Sequence, residues 1–508
     1  MAPATTPTVR IDTGTVRGRI DDDIAAFLGI RYAEPPIGAA HLAAPRPAQA
    51  WDGVRDAAEF GPPPPQSALW SDVAPEPYGG SHDPDDWLTV NVWSPDLGAA
   101  GLPVMVYIYG GAYIIGESAT EVYRGAELAR SGVVVVSFNY RVGFEGFAQI
   151  AGAPANRGLL DQVCALRWVA ANIAAFGGDP GNVTVFGESA GAGSVAALLV
   201  MPSADGLFRR AIAQSVPGTH LTPELAADVA AAITAELGLR ADIEDLRAVD
   251  PERLRTATDS VAAKMLEHES RWGELARTVT PFAPVVDGEV LPAVPWEALA
   301  DGRARGVELI VGHNRDEYRL FMGLAGQLGQ VTDDMAADAL RRLSPGGEAA
   351  YREAYPDADS NLLFELVQSD WVFRIPALRL AAANAAAGGT SYLYELCWPA
   401  PAMGGILGAC HGLDVPLVMG NLELAMAGLA LVGETPTPEA RQLSQLMRAH
   451  WTAFAAGGNP GWPPYTPEFP RTRLFDAEST VGPYPEEASR RIWDGHPFAP
   501  LGLVAALP

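Results

Sequence analysis

Lysine is almost missing: Lys264 is the one lysine among 35 basic residues, and the others are arginine. A phosphate-binding G-x-x-x-x-G-K loop and a Ser-x-x-Lys nucleophile therefore cannot be written in this chain. A Schiff base would have to use Lys264, whose helix-like Ala262–Glu269 surroundings read as a solvated surface. Cysteine is scarce too. Cys164, Cys397 and Cys410 are odd in number and lack metal-type spacing, which predicts a reducing, cytoplasmic compartment or thiols that are simply packed. Long apolar runs are missing as well, and none approaches the ~18–20 residues of a membrane span. The opening Met1–Pro7 has neither the basic start nor the apolar stretch of a secretory leader. Positive charge is outweighed, 61 acidic residues against 35 basic giving −26. A field of that sign repels polyanions, which excludes nucleic acid as a partner.

What is present is an apolar fraction of 48% over 508 residues, with 53 Gly and 43 Pro. That length holds about three domains or one large α/β unit. Val9, Ile11 and Val16 around Asp12-Thr13-Gly14 predict a small hairpin. Prolines then give loops through Pro35-Pro36 and Pro62–Pro65. From about residue 87, buried strand patterns alternate with helices: Val104–Tyr109, Val133–Val136 and Val183–Phe186 are continuous apolar runs. Between the last two, Leu160, Val163, Leu166, Val169, Ile173 and Phe176 recur at helical spacing and stop at Gly177-Gly178. Strands buried on both faces and separated by helices predict α/β architecture with a mostly parallel sheet. Thr222-Pro223 opens a helix-rich stretch to about 275, and another runs from about 332 to 385. Both read as helical insertions over a site within a single 1–508 domain.

The chemistry concentrates in Gly187-Glu188-Ser189-Ala190-Gly191, which follows an apolar strand and precedes the small-residue run Ala190–Val200. A serine on a strand-to-helix turn is forced into a strained backbone that exposes its Oγ. Side chains two residues either side would clash, hence the glycines. Chance alone supplies roughly 0.2 such matches in a chain with 53 Gly. Tyr109-Gly110-Gly111-Ala112-Tyr113, after another buried strand, is a candidate oxyanion loop. A base and an orienting acid are then required. The residues alone leave His411 and His313 open as bases, and Glu317, Asp316 and Asp414 as acids. His82-Asp83-Pro84-Asp85-Asp86 reads as a solvated acidic loop rather than a metal site. Cys410, which has no elbow of its own, reads as a packing residue.

These strings resemble the type-B carboxylesterases, the cholinesterase-like branch of the α/β-hydrolases. The similarity spans Phe27–Ala33 with Pro35-Pro36 and Gly38, Trp51–Val54, Leu88–Val92, Asn156–Gln162, Phe176–Pro180 and the Ser189 elbow. Bacterial members acting on p-nitrobenzyl, phthalate-type and phenylcarbamate esters are the nearest echo. The resemblance implies an α/β-hydrolase fold and a serine esterase working through an acyl-enzyme, with no cofactor and no metal. It implies Ser189 as nucleophile, His411 as base and Glu317 as acid, with the N–H groups of Gly111, Ala112 and Ala190 as oxyanion hole. The same machinery serves carbamates, amides or thioesters. A non-catalytic adhesion module is the remote alternative, and it normally loses triad members. Tyr113, Phe321 and Met322 are expected to line a pocket for a small hydrophobic ester. Oligomeric state is left open. The chain departs from the family at Arg31, read as a surface change. It also has Pro64 and Trp87 where many members carry a disulfide, consistent with an intracellular enzyme.

Overall fold

Continuous valine and isoleucine runs become the middle of a sheet covered on both faces, because only burial on both sides suits strands without polar alternation. The computed structural model describes residues 6–21, 23–69, 83–424 and 430–504. His82 of the acidic loop lies outside them, as do the first five residues of the opening segment. An 11-stranded sheet runs, in spatial order, Thr480–Pro483, Arg471–Phe475, Ser391–Leu396, Glu308–Asn314, Arg210–Gln214, Gly178–Glu188, Leu102–Ile108, Val134–Phe138, Thr89–Ser94, Ile24–Arg31 and Arg19–Asp21. Its six central pairings are parallel and the four towards the edges antiparallel. The expected hairpin forms with Val9 opposite Val16, closed by Ile11 N–H to Gly14 O at 2.8 Å.

The predicted helix spans Arg157–Asn172 and continues as a 3₁₀ turn, Ile173–Phe176, to Gly177 at φ 87°. Its first residues are buried polar groups with assigned partners. Asn156 bonds Val285 through both N–H and C=O, and the Arg157 guanidinium donates to the carbonyls of Phe144, Glu145, Ala148 and Pro154. Asp161 holds the fully buried Arg141 at 2.7 Å. Together, Arg157–Phe176 have the length and mean hydropathy (1.3) of a membrane span, which a search for unbroken apolar runs passes over. In this fold the helix packs on the sheet, with its apolar stripe Val163, Leu166 and Val169 buried.

Helices fill both stretches marked as insertions. The first holds Pro223–Ala235, capped by Thr222 Oγ1 accepting from Leu225 N–H, then Pro251–Ala262 and shorter turns to Arg277. The second holds Asp333–Leu343, Gly347–Ala354, Ser360–Ser369 and Ile375–Ala386. Between the last two, Asp370–Arg374 winds as a π-helix, a rare geometry that tends to mark functional sites.

Candidate active site

Ser189 stands between the strand Gly178–Glu188 and the helix Ala190–Val200 at φ 58°, ψ −127°, a region costly for a residue with a side chain. Packing explains both glycines of the motif. A Cβ on Gly191 would lie 2.0 Å from Ile108 O, and one on Gly187 would lie 2.7 Å from the same oxygen. The elbow is pinned by Ser189 N–H to Gln214 O at 2.9 Å. The helix behind it is tied by Gln162 Nε2 to Ser194 Oγ at 3.0 Å.

The glycine loop curls against this elbow. Gly111, Ala112 and Tyr113 all take positive φ (108°, 53° and 62°), and a Cβ on Gly110 would sit 3.0 Å from Ser189 Cβ. Among the described residues, no acceptor takes the N–H groups of Gly111, Ala112 or Ala190, and all three residues line one cavity with Ser189.

His411 lies on the loop that follows the strand Ser391–Leu396, and its Nδ1 is 2.6 Å from Glu317 Oε2. The other Glu317 oxygen accepts from Ser215 Oγ (2.5 Å) and Asn314 N–H (2.7 Å). Burial pushes this carboxyl up. The charge and hydrogen bond of His411, with the Ser215 and Asn314 bonds, outweigh it and hold Glu317 below the usual carboxylate range. His411 Nε2 faces the cavity side, 3.1 Å from Glu188 Oε1. It has no hydrogen-bond partner among the described residues, Ser189 Oγ included. Burial opposes the imidazolium, but the carboxylates of Glu188 and Glu317 prevail and raise His411 to about 9. Burial lifts Glu188 itself to about 8, in spite of His411.

The rival groups are placed elsewhere. His313 is fully buried, with Nε2 3.0 Å from Tyr484 OH and Nδ1 3.1 Å from Asn314 O. Asp316 pairs with Arg319 (2.9 Å) and accepts from Ala409 N–H, while Asp414 is held by Gln214 and Tyr394. Cys410 is buried, and its thiol is pushed far up by burial and by Glu317. Arg31 is not a bare surface change, because it pairs with the buried Asp86 at 2.5 Å.

The cavity measures about 300 Å³, and its walls are largely aromatic and aliphatic. Tyr113 and Phe321 line it as expected, but Met322 does not. Successive helical residues point about 100° apart. With Phe321 on the cavity, Met322 turns into a separate apolar cluster with Leu340 and Leu366. Sequence reasoning missed Phe373, whose ring stacks on His411 at 4.2 Å, and Trp371 beside it. Both come from the π-helix, which carries no spacing signal. Ser215 also escaped, although its position just past a parallel strand's carboxyl end is where such folds bind ligands.

Comparison with known proteins agrees with this architecture. The model of the carboxylesterase family matches residues 5–493. The chain is 36% identical to para-nitrobenzyl esterase of Bacillus subtilis (strain 168), over 94% of this chain and 96% of that one. It is 35% identical to phenmedipham hydrolase of Pseudarthrobacter oxydans, over 93% and 96%. Among solved structures, the carboxylesterase EST55 of Geobacillus stearothermophilus superposes with a TM-score of 0.84 at 34% identity, covering 96% of this chain and all of that one. With matches across nearly its whole length, the chain belongs to the carboxylesterase family and is an ester-hydrolysing serine hydrolase of the α/β-hydrolase fold.

Proposed function

We propose that Ser189 Oγ attacks the ester carbonyl while His411 Nε2 takes its proton, with Glu317 fixing the imidazole tautomer through Nδ1. The observation that carries this reading is the 2.6 Å bond between His411 Nδ1 and Glu317 Oε2 in the wall of the cavity that exposes Ser189. Nδ1 bound to a carboxylate keeps its proton, so Nε2 is the nitrogen left to act as base. The N–H groups of Gly111, Ala112 and Ala190 bind the oxyanion. His411 then protonates the departing alcohol, and water releases the acid from the acyl-enzyme. An apolar cavity of this size suits hydrophobic esters of small molecules.

We also read residues 1–508 as one such unit, with the second helical segment supplying a site wall through Gln368, Trp371, Val372 and Phe373. A reducing cytoplasmic setting is supported by three unpaired cysteines. The test is intact mass after a fluorophosphonate probe with peptide mapping. One adduct on Ser189 is expected, and Ser189→Ala should lose both adduct and hydrolysis of p-nitrophenyl butyrate. An adduct elsewhere, or wild-type turnover by Ser189→Ala, overturns the assignment. A panel of matched carbamate, amide and thioester substrates tests the preferred bond.

A further inference from the structure

Glu117 lines the same cavity and has no part in the chemistry above. It is 4% exposed. Its Oε2 is buried without a partner, and among the described residues no donor reaches its carboxyl group. Burial alone lifts this group to about 7. A carboxyl removed from water without a hydrogen bond is costly, so its retention at a cavity wall calls for a partner that arrives from outside. Among the described residues no cation pairs with Glu117. Arg277, in the same lining, is held by Glu269 at 2.6 Å. Glu188, also in the wall, is already engaged, its Oε1 lying 3.1 Å from His411 Nε2.

The surroundings define what would fit. The Glu117 carboxyl borders a cavity that Tyr123, Phe321 and Phe373 line with rings. An alkylammonium group matches both, giving a charge-assisted N–H bond to the carboxylate and a cation–π contact to the rings. A net charge of −26 draws such cations towards the molecule. We propose that Glu117 is a specificity residue, which selects esters carrying an ammonium group on one arm by binding that group while the ester carbonyl is at Ser189. This rests on the esterase reading of Ser189 and narrows its substrate class.

Two isosteric pairs test it in the full-length enzyme at about pH 7.5 and low salt. The first is 3-(dimethylamino)propyl benzoate against 4-methylpentyl benzoate. The second is methyl 5-(dimethylamino)pentanoate against methyl 6-methylheptanoate. In one pair the amine should be favoured in kcat/KM by roughly 10- to 100-fold, the range of a hydrogen bond to a charged group. Glu117→Gln should bring that ratio close to parity, and Glu117→Asp should keep part of it. A wild type without preference in either pair overturns the proposal whether or not the variants fold, and so does a preference that survives Glu117→Gln. Failure of the Ser189 reading looks different, because Ser189→Ala would then keep turning over the neutral esters. In that event, calorimetry with N,N-dimethylpropylammonium decides. Binding to the wild type that Glu117→Gln loses supports the site, and no binding to the wild type overturns it.

Discussion

The two nitrogens of His411 meet carboxyls of very different acidity. Glu317, held below the usual range by its hydrogen bonds, is charged throughout the working range and secures Nδ1. Glu188, lifted to about 8 by burial, accepts a proton near neutrality and faces Nε2. A general base must be neutral, and a raised imidazole stays charged to higher pH. Hydrolysis of p-nitrophenyl butyrate should therefore climb with pH through a midpoint above the ordinary histidine value of 6.5, in the direction of about 9. Glu188→Gln removes one attracting charge, so the midpoint should move to lower pH. A midpoint that does not move would show that Glu188 is not felt at Nε2. His313 provides the contrast. His313→Asn should keep kcat per folded molecule while losing about 1–3 kcal/mol of stability, measured by urea unfolding, because it breaks a buried pair of hydrogen bonds.

At the scale of elements, two unusual backbones build the site. The first is the strained elbow, whose strain is maintained by close backbone packing against Ile108. Gly191→Ala places a Cβ 2.0 Å from Ile108 O, so the turn must shift. Displacing a nucleophile by about 1 Å costs on the order of 100-fold, and kcat/KM for p-nitrophenyl butyrate should fall at least that far. The second is the π-helix Asp370–Arg374. Its wider turn brings Phe373 over the imidazole, while Arg374 on the same element bonds Arg315 O in the loop that carries Glu317. Phe373→Ala removes the stack and should lower kcat by roughly 2- to 10-fold, in line with the ~0.5–1.5 kcal/mol of an aromatic pair. Steady-state kinetics that leave kcat unchanged would assign Phe373 to packing alone.

Across the whole molecule, stability depends on buried polar groups as well as on the sheet. Arg141 and Asp161 are both without solvent contact, and Arg141 donates a further N–H to Ala43 O. Asp161→Asn leaves a buried guanidinium uncompensated and should cost about 3–5 kcal/mol in a denaturation midpoint. A loss below about 1 kcal/mol would mean that water enters behind the helix.

The elbow was legible because its requirements are local. A strand, a serine between glycines and a small-residue helix are sequential neighbours, and steric exclusion acts within five residues. The parallel sheet was legible for a similar reason, since burial on both faces is written into each valine run. The choice among acids and bases was not. His411 and Glu317 are 94 positions apart, and only the chain path brings them within 2.6 Å, while His313 and Asp316, just as plausible by residue type, are absorbed by Tyr484 and Arg319. Family resemblance singled out the pair that the fold brings into contact, where composition and spacing left the choice open. Phe321 and Met322 were separated by helical rotation alone, and Phe373 by a π turn that no periodicity announces. The sequence by itself thus determined the architecture and the serine, because both follow from contacts between near neighbours. The tertiary structure alone decided what surrounds the imidazole and where Glu117 is left without a partner among the described residues, because those depend on which distant segments meet and on which groups they shut away from water.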